Sequence, residues 1–351
     1  MLNIKRYHPG VYIKESLDSM EMTAKEFAIR TGISERTLSS IINGNGSVTF
    51  DVAYKLASYF DTSVDLWSNL QNAYDLYCKE TEIAEQMNND WQLAKTIKKY
   101  LVEHKLVDKG DSKEAVVNKA RKLAGVNALE LLKTPDSFVC LKQQHSSNGN
   151  EVFAQNFWIS LALNEARKKN GVNYDRDKLL LAIETLRKMT VREPHDFYPD
   201  LEDTLSQCGI SFVVLPYLSK TNIYGVTKWF SRSNVMLAVS NRTGKADLFW
   251  FTLFHEIAHV LMEHRREMLV NEVGIEDAEA DKMAADMLIP AEQWEQFIST
   301  NVFSPAAIFA FAEQVGIHPC LVLGRLHKEN IVPYGQFEKE FGKTYYISEM
   351  I

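Results

Sequence analysis

Two histidines separated by three residues form the most chemically specific pattern in this chain. The stretch FHEIAHVLMEH, residues 254–264, places His255 and His259 four positions apart, with Glu256 directly after the first histidine. On a helix, positions i and i+4 lie on one face, so both imidazoles can bind one metal ion. Glu256 falls on the neighbouring face, where it can accept a proton from a water molecule whose pKa Zn²⁺ lowers. The pattern therefore predicts a zinc site with a general base.

Apolar residues flank this motif on both sides, and the alternative interpretation is an ordinary core helix with hydrogen-bonded histidines. The flanking residues are Phe249, Trp250, Phe251, Leu253, Phe254, Ile257, Val260 and Leu261. They predict a buried helix, and buried His and Glu side chains need partners. A metal ion supplies such partners, so the zinc interpretation is favoured.

A catalytic zinc ion usually has three protein ligands, and the motif supplies only two. His264 does not extend it, because Met262 stands where the pattern HExxHxxGxxH requires glycine and Arg265 where it requires histidine. The alternative is a carboxylate from a following helix. The stretch IEDAEADKMAADMLIP, residues 275–290, predicts such a helix.

Two glutamates of that helix are candidates for the third ligand. On a helical wheel, Glu276 and Glu279 lie within or beside the stripe of larger apolar residues, with Asp286 at its edge. Asp277 and Asp281 are predicted to point elsewhere. Periodicity alone leaves Glu276 and Glu279 open, and keeps Asp286 as a third candidate.

Four further side chains could serve such a site. Tyr224, His318 and His327 could each stabilise an oxyanion, and Trp229 could line a peptide cleft. Residues of these types are more often packed or at the surface, and the sequence offers no geometry with which to choose among them.

The first 76 residues predict five short helices. Thr23 and Glu26 form a capping box at the start of the second helix, which ends at Gly32. Ser34 caps the third helix, which ends near Asn43. Two short helices joined by a tight turn that contains glycine are typical of a helix-turn-helix.

Composition and charge limit the remaining possibilities. With 46% hydrophobic and 24% charged residues over 351 positions, the chain is predicted to be globular, with two or three domains. A net charge of −7 argues against nucleic-acid binding by the chain as a whole. Four scattered cysteines fit a reducing cytoplasm. Neither a signal peptide nor a membrane span is expected.

The pattern of elements predicts a multidomain, mostly α-helical protein. An all-α domain at 1–76 precedes a helical connector at 77–135, whose stretch 95–133 holds ten Lys/Arg and five Asp/Glu. Strands that lead into long helices predict an α+β domain at 136–300. A helical subdomain and tail follow at 301–351, including a possible closing strand in GKTYYIS.

The metal-site motifs carry a family resemblance. FWFTLFHEIAHVLMEH, followed by EADKMAADMLIP, resembles the ImmA/IrrE family of bacterial zinc peptidases, and the likeness covers roughly residues 150–335. It implies a zincin-like fold, a Zn²⁺ cofactor and Glu279 as the third ligand. Met283 stands where the family usually has phenylalanine.

The N-terminal stretch at 8–77 is similar to the XRE-type helix-turn-helix of HigA-like antitoxins. The resemblance implies a homodimer that binds double-stranded operator DNA, often beside a toxin, with its recognition helix at 34–42. The residues expected at the DNA are Glu35, Arg36, Thr37, Ser39, Ser40, Asn43 and Asn45. The alternative is a docking or dimerisation platform, because residues 1–76 hold seven Lys/Arg and nine Asp/Glu. The basic stretch at 95–133 could offset this deficit.

Three functions are therefore considered. The first is an operator-binding regulator whose zinc endopeptidase domain cleaves a regulatory protein, either a partner repressor or the chain itself. The second is a HigA-like antitoxin that binds a toxin and represses its own operon, with the peptidase-like domain as a sensor or scaffold. The third is a peptidase that recruits its substrate through the helix-turn-helix.

Overall fold

The structure is a computed structural model of the chain and describes residues 7–133, 149–169, 172–263, 269–272 and 277–346, with the backbone alone at 269–272. The chain divides into two compact units, Met1–Asn89 and Asp90–Ile351. This boundary falls inside the stretch predicted as a connector.

Unit 1 is built from short helices whose ends match local sequence signals. They are α1 Pro9–Ser19, α2 Ala24–Thr31, α3 Glu35–Ile42, α4 Phe50–Phe60 and the first part of α5 Val64–Glu103. The side chain of Thr23 accepts a hydrogen bond from the backbone N–H of Glu26, and Ser34 caps α3 in the same way. Gly32 ends α2 at φ 66°, a conformation that favours glycine. These three predictions are confirmed.

The core of unit 1 places α3 against the start of α1. Leu38 and Ile41 of α3 are fully buried, together with Ile13 and Phe27. A Cβ atom on Gly10 would lie 1.9 Å from the carbonyl oxygen of Ile41, so the two backbones meet where no side chain fits. Gly10 therefore sets how closely α1 approaches α3.

Unit 2 contains the last part of α5, ten further helices and four strands among the described residues. The helices are α6 Lys113–Ala124, α7 Gly149–Lys168, α8 Arg176–Lys188, α9 Pro194–Gln207, α10 Ala246–Leu261, α11 Ala278–Leu288, α12 Ala291–Ser299, α13 Pro305–Val315, α14 Pro319–Lys328 and α15 Glu338–Phe341. The strands are β1 Ile210–Leu215, β2 Ile223–Trp229, β3 Val235–Ser240 and β4 Leu269–Glu272. Short 3₁₀ helices lie at Leu129–Lys133 and Met189–Val191.

The last part of the predicted helical connector, from Asp90 to Lys133, lies within unit 2. Asp90 is fully buried and accepts hydrogen bonds from the Arg121 guanidinium at 2.7 Å and from the backbone N–H of Leu129 at 2.8 Å. A buried carboxylate satisfied in this way joins α5, α6 and the following 3₁₀ helix into one packed element.

The sheet has the strand order β1-β3-β2-β4. β1 and β3 are parallel, and β2 is antiparallel to both β3 and β4. All six residues of β3 are buried, so the strand is covered on both faces, and both α7 and α10 pack against it. The predicted strands within 210–216 and 234–240 are confirmed, whereas β2 was not predicted.

The chain's last described residues pack on α10. Tyr345 is 1% exposed, and its hydroxyl accepts a hydrogen bond from the Trp250 indole at 3.0 Å. The closing strand expected in GKTYYIS is, within the described part, a single bridge between Thr344 and Lys245. No single described helix has the length and apolar character of a membrane span, although the bent pair α13 and α14 meets that test when taken together.

Candidate active site and nucleic-acid interface

The two histidines of the HExxH motif face each other on α10. The side chains of His255 and His259 are 5% exposed, and their Nε2 atoms lie 3.1 Å apart. Two nitrogen ligands of one tetrahedral zinc ion, each at about 2.05 Å, lie roughly 3.3 Å apart. The spacing of this pair therefore fits joint binding of one ion.

Two aspartates near the start of α11 contact the histidines. Asp281 Oδ1 lies 2.9 Å from Nδ1 of His255, and Asp277 Oδ2 lies 3.8 Å from Nε2 of His259. Burial opposes protonation of His255, but the hydrogen bond with Asp281 and the nearby carboxylate charges together raise its pKa. A carboxylate on the outer nitrogen of a histidine is also the arrangement that orients metal-binding imidazoles.

The prediction that Asp277 and Asp281 point elsewhere was wrong. The buried face of α11 consists of Ala280, Ala284 and Leu288, whereas Met283 is only partly buried. The prediction took the larger apolar residues of the helical wheel as the buried face. The face against α10 instead holds two alanines, which permit close approach of the two helices.

Glu256 is fully buried between α10 and β2. Its Oε2 accepts a hydrogen bond of 2.6 Å from the Thr227 hydroxyl, and its Oε1 has no hydrogen-bond partner among the described residues. Burial raises the pKa of Glu256 to about 7, against the opposing effects of His255 and the Thr227 hydrogen bond. A Cβ atom on Gly225 would lie 2.4 Å from Oε1, so glycine is required where β2 passes this carboxylate.

The described residues supply no third side chain that is arranged to bind a metal ion together with the two histidines. Within the described ranges, no group of three His, Cys, Asp or Glu residues is arranged to hold a metal ion. Glu279 is exposed on the first turn of α11, and Asp286 lies 3.7 Å from Arg325. Glu276 and His264 lie outside the described residues. The assignment of Glu279 stays a prediction.

The other candidates have local roles in the structure. His318 caps α14 by accepting a hydrogen bond from the backbone N–H of Cys320, and His327 Nε2 lies 3.1 Å from the carbonyl oxygen of Gln336. Trp229 is buried against Tyr174. Tyr224 lies 5.3 Å from the guanidinium of Arg242.

The residues predicted to contact DNA lie at the surface of α3 and the turn that follows it. The exposed ones are Glu35, Arg36, Thr37, Ser39, Asn43 and Asn45, and Ser40 is half-buried. Arg36 has neither a hydrogen bond nor an ion pair in the described part of the chain. Thr37 and Asn43 instead bond within the helix, to Ser34 and Ser39 respectively.

Known proteins resemble this part of the chain. A helix-turn-helix family model matches residues 13–67. The uncharacterized HTH-type transcriptional regulator YbaQ of Escherichia coli K12 is 33% identical over 96 residues, which cover 81% of that protein and 26% of this chain. The chain belongs to the family of helix-turn-helix transcriptional regulators.

Two further relatives are antitoxins by name. Antitoxin HigA-1 of Vibrio cholerae is 36% identical to the helix-turn-helix regulator over 72 residues, which cover 68% of the antitoxin and 20% of this chain. A solved addiction module antidote protein of a HigA family from Coxiella burnetii is 31% identical, with 95% of its chain and 24% of this one covered and a TM-score of 0.23. The N-terminal unit is thus a DNA-binding helix-turn-helix of the XRE, antitoxin-like kind.

Sequence reasoning missed four residues around the buried site of this helix-turn-helix regulator. They are Asp281, Thr227, Gly225 and Arg242. The first three lie near the site only because α11 and β2 pack against α10, and no local sequence pattern predicts that packing. A glycine and a threonine two residues apart in the stretch IYGVTKW were the only signal for the pair on β2.

Proposed function

We propose that this regulator carries a zinc-dependent endopeptidase in unit 2. The observation that supports it best is the His255–His259 pair, 3.1 Å apart at Nε2, beside a fully buried Glu256. A buried carboxylate with an unpartnered oxygen costs folding free energy, and such groups are typical of active sites. His255 and His259 would hold the ion, with Glu279 as the expected third ligand.

Glu256 is the general base of the proposed reaction. A bound zinc ion supplies Lewis acidity and makes a water molecule more acidic. Glu256 accepts the proton of the attacking water on Oε1 and passes it to the departing amine. Thr227 holds Oε2, which fixes the carboxylate through its other oxygen.

Unit 1 is proposed to bind operator DNA as a homodimer. Arg36 on α3 is exposed and unpaired in the described part of the chain, so its guanidinium is free to contact a guanine edge or a phosphate. Glu35, Thr37, Ser39, Ser40, Asn43 and Asn45 complete the proposed contact surface. The substrate is proposed to be a regulatory protein, either a partner repressor or this chain.

We place the proposed self-cleavage in α5, at a run of exposed residues. Residues 79–85 of α5 are all exposed. A cut there would release a fragment with all of α1–α4, and the helix would have to unwind locally first. The zinc-loaded full chain should then yield this fragment over time, as seen by intact-mass measurement.

The test of the peptidase uses a peptide library prepared from a bacterial lysate. Zinc-loaded wild type and Glu256→Gln are incubated with it, and new peptide termini are counted by mass spectrometry. We expect wild type to create termini that the variant does not. Equal numbers of new termini from both proteins would refute the peptidase.

The antitoxin function is the second candidate, and the relatives named HigA-1 and HigA-family antidote favour it. Here the chain neutralises a toxin by direct contact and represses its own operon. Cells that express the toxin encoded nearest to this gene are the test. Equal rescue by wild type and Glu256→Gln would support neutralisation by binding, whereas rescue by wild type alone would favour proteolysis.

A further inference from the structure

An arginine without an anionic partner lies at one edge of the sheet in unit 2. The guanidinium carbon of Arg242 lies 5.4 Å from the ring centre of Tyr217 and 5.3 Å from that of Tyr224. Arg242 and Tyr217 each follow the end of one of two parallel strands, β3 and β1. Tyr224 lies near the start of β2, which runs antiparallel to them, so all three residues meet at the same edge.

The charge of Arg242 is not compensated within the described residues. Its Nη1 is buried and has no hydrogen-bond partner, and no described carboxylate forms an ion pair with it. Arg36 is also unpaired, but it is exposed to solvent. The arginines that do pair with a carboxylate are Arg30, Arg121, Arg192 and Arg325. A half-buried guanidinium without an acceptor is unfavourable, and the two tyrosine rings offset only part of that cost.

Tyr224 also links Arg242 to the strand beside Glu256. The pairing of β2 with β4 shifts register at this residue: Ile223 pairs with Glu272, and Gly225 pairs with Asn271. Such a bulge redirects the side chain of the extra residue. The next residue, Gly225, is the one at which a Cβ atom would lie 2.4 Å from Oε1 of Glu256. Arg242 therefore lies over Tyr224, the residue that precedes Gly225 on β2.

We propose that Arg242, flanked by Tyr217 and Tyr224, binds a carboxylate of a peptide, either an acidic side chain or a chain terminus. A planar guanidinium fork matches a carboxylate with two hydrogen bonds. Lys245, the nearest cation in sequence, is already paired with Glu338 at 2.9 Å, so the site offers one positive charge to a singly charged group. That the carboxylate belongs to a peptide rests on the proposed peptidase.

The test is a titration of the full chain, as purified and after dialysis against EDTA, followed by NMR of ¹⁵N-labelled arginine side chains. The Arg242 signal is assigned by its loss in Arg242→Lys. The probes are acetyl-Ala-Glu-Ala-amide, acetyl-Ala-Gln-Ala-amide, acetyl-Ala-Ala-Ala with a free carboxylate, and inorganic phosphate. We expect the two peptides with a carboxylate to shift the Arg242 signal and to bind about tenfold or more tightly than the glutamine peptide, as a charge-assisted hydrogen bond requires.

Two variants and one control make the outcome decisive. Arg242→Met removes the charge and should abolish the preference for the carboxylate, whereas Arg242→Lys keeps the charge and should retain only part of it. Arg167→Lys is the matched control, because Arg167 also lies over a ring, at 5.7 Å from Phe230, but already donates to Asn164. It should leave the titration unchanged.

Three results would overturn the site. They are equal affinity for the glutamate and glutamine peptides, an undiminished preference in a folded Arg242→Met or Arg242→Lys, and tighter binding of phosphate than of both carboxylate peptides. The titration needs neither zinc nor hydrolysis, so failure of the peptidase leaves it interpretable. Conversely, if the chain proves to be a zinc-dependent peptidase but shows no preference for the carboxylate peptides, only the Arg242 site is refuted and the proposed peptidase stands.

Discussion

The two units place their candidate functional side chains in opposite environments. In unit 1, Arg36 and its neighbours are exposed, and the helix that carries them is capped by a residue directly beside it. In unit 2, His255, Glu256 and His259 are buried. The hydrogen-bond partners of His255 and Glu256 on other elements, Asp281 and Thr227, lie 26 and 29 positions away along the chain. Exposed side chains on one helix can be predicted from the local sequence pattern of that helix. A buried polar site needs tertiary neighbours that satisfy or tune each group.

Glu256→Gln should have the largest effect and should separate the two units most clearly. Loss of a general base is expected to lower peptide cleavage by about 10²–10⁴-fold. Folding stability should hold or rise, because the variant removes a buried carboxylate. DNA binding, measured by gel shift with the region upstream of the chain's own gene, should be unchanged. A coupled loss of DNA binding would show that Glu256 has a role beyond the proposed peptidase.

Gly10→Ala should disturb unit 1 and spare unit 2. The added methyl would lie 1.9 Å from the Ile41 carbonyl oxygen, so α1 must move away from α3. Such overpacking is expected to destabilise unit 1 by about 1–3 kcal/mol or more. Hydrogen exchange of the two units measures this directly. Gly110→Ala is the control, because its Cβ would meet nothing within 4 Å.

Thr227→Val should weaken cleavage without loss of the metal. It removes the hydroxyl that holds Glu256 Oε2 and keeps the shape of the side chain. A hydrogen bond to a charged group contributes roughly 1.5–3 kcal/mol, so a fall in kcat of about 10–100-fold is expected, with little change in KM. Thr227→Ser should restore most of the rate. If serine fails while zinc content and fold are intact, Thr227 does not act through its hydroxyl.

Arg36→Ala should weaken DNA binding moderately. One lost phosphate or base contact is expected to cost about 1–3 kcal/mol, and loss of a phosphate contact lowers the salt slope by about one. Gel shifts at several stated salt concentrations measure both quantities. Lys14→Ala, an exposed cation on α1, is the control. Equal losses in the two variants would indicate general attraction rather than a contact by α3.

His318→Asn should have the smallest effect, confined to acid pH. Burial, with the charge of Lys343, lowers the pKa of His318 from 6.5 to about 4. The unfolded chain therefore binds the proton first, and stability is lost as pH falls from 6.5 toward 4. Because the ring is partly exposed, the loss is about 1 kcal/mol.

Asparagine at position 318 keeps the cap on α14 but does not titrate in this range. Denaturant unfolding at several pH values should show a flatter dependence in His318→Asn than in wild type. His195→Asn, at an exposed histidine, should behave like wild type. An unchanged pH dependence in His318→Asn would show that this histidine does not contribute to the loss of stability at acid pH.

The sequence predicted best what depends on short spacings. Thr23, Gly32 and Ser34 marked helix ends correctly, and the i, i+4 spacing placed His255 and His259 together. The phase of α11 was wrong because its buried face is made of alanines, which a wheel drawn on large residues overlooks.

The contacts around Glu256 were beyond sequence reasoning. They arise where β2 crosses α10, 29 residues apart along the chain between Thr227 and Glu256. The packing around Asp90 was not predicted for the same reason, because the hydrogen-bond partners of Asp90 lie 31 and 39 residues further along the chain. In both cases a polar residue in a helix-prone stretch gives no sign of which distant group it meets.

The zinc content of the purified chain is the most direct test of the proposed metal site at His255 and His259. The purified full chain is dialysed against excess zinc and then against buffer, and its metal is measured by mass spectrometry for wild type, His259→Ala and the exposed control His195→Ala. If His255 and His259 bind one ion, wild type and the control should hold one zinc per chain, and His259→Ala should lose it. Wild type without stoichiometric zinc, or a folded His259→Ala that retains it, would show that this histidine pair does not form a zinc site.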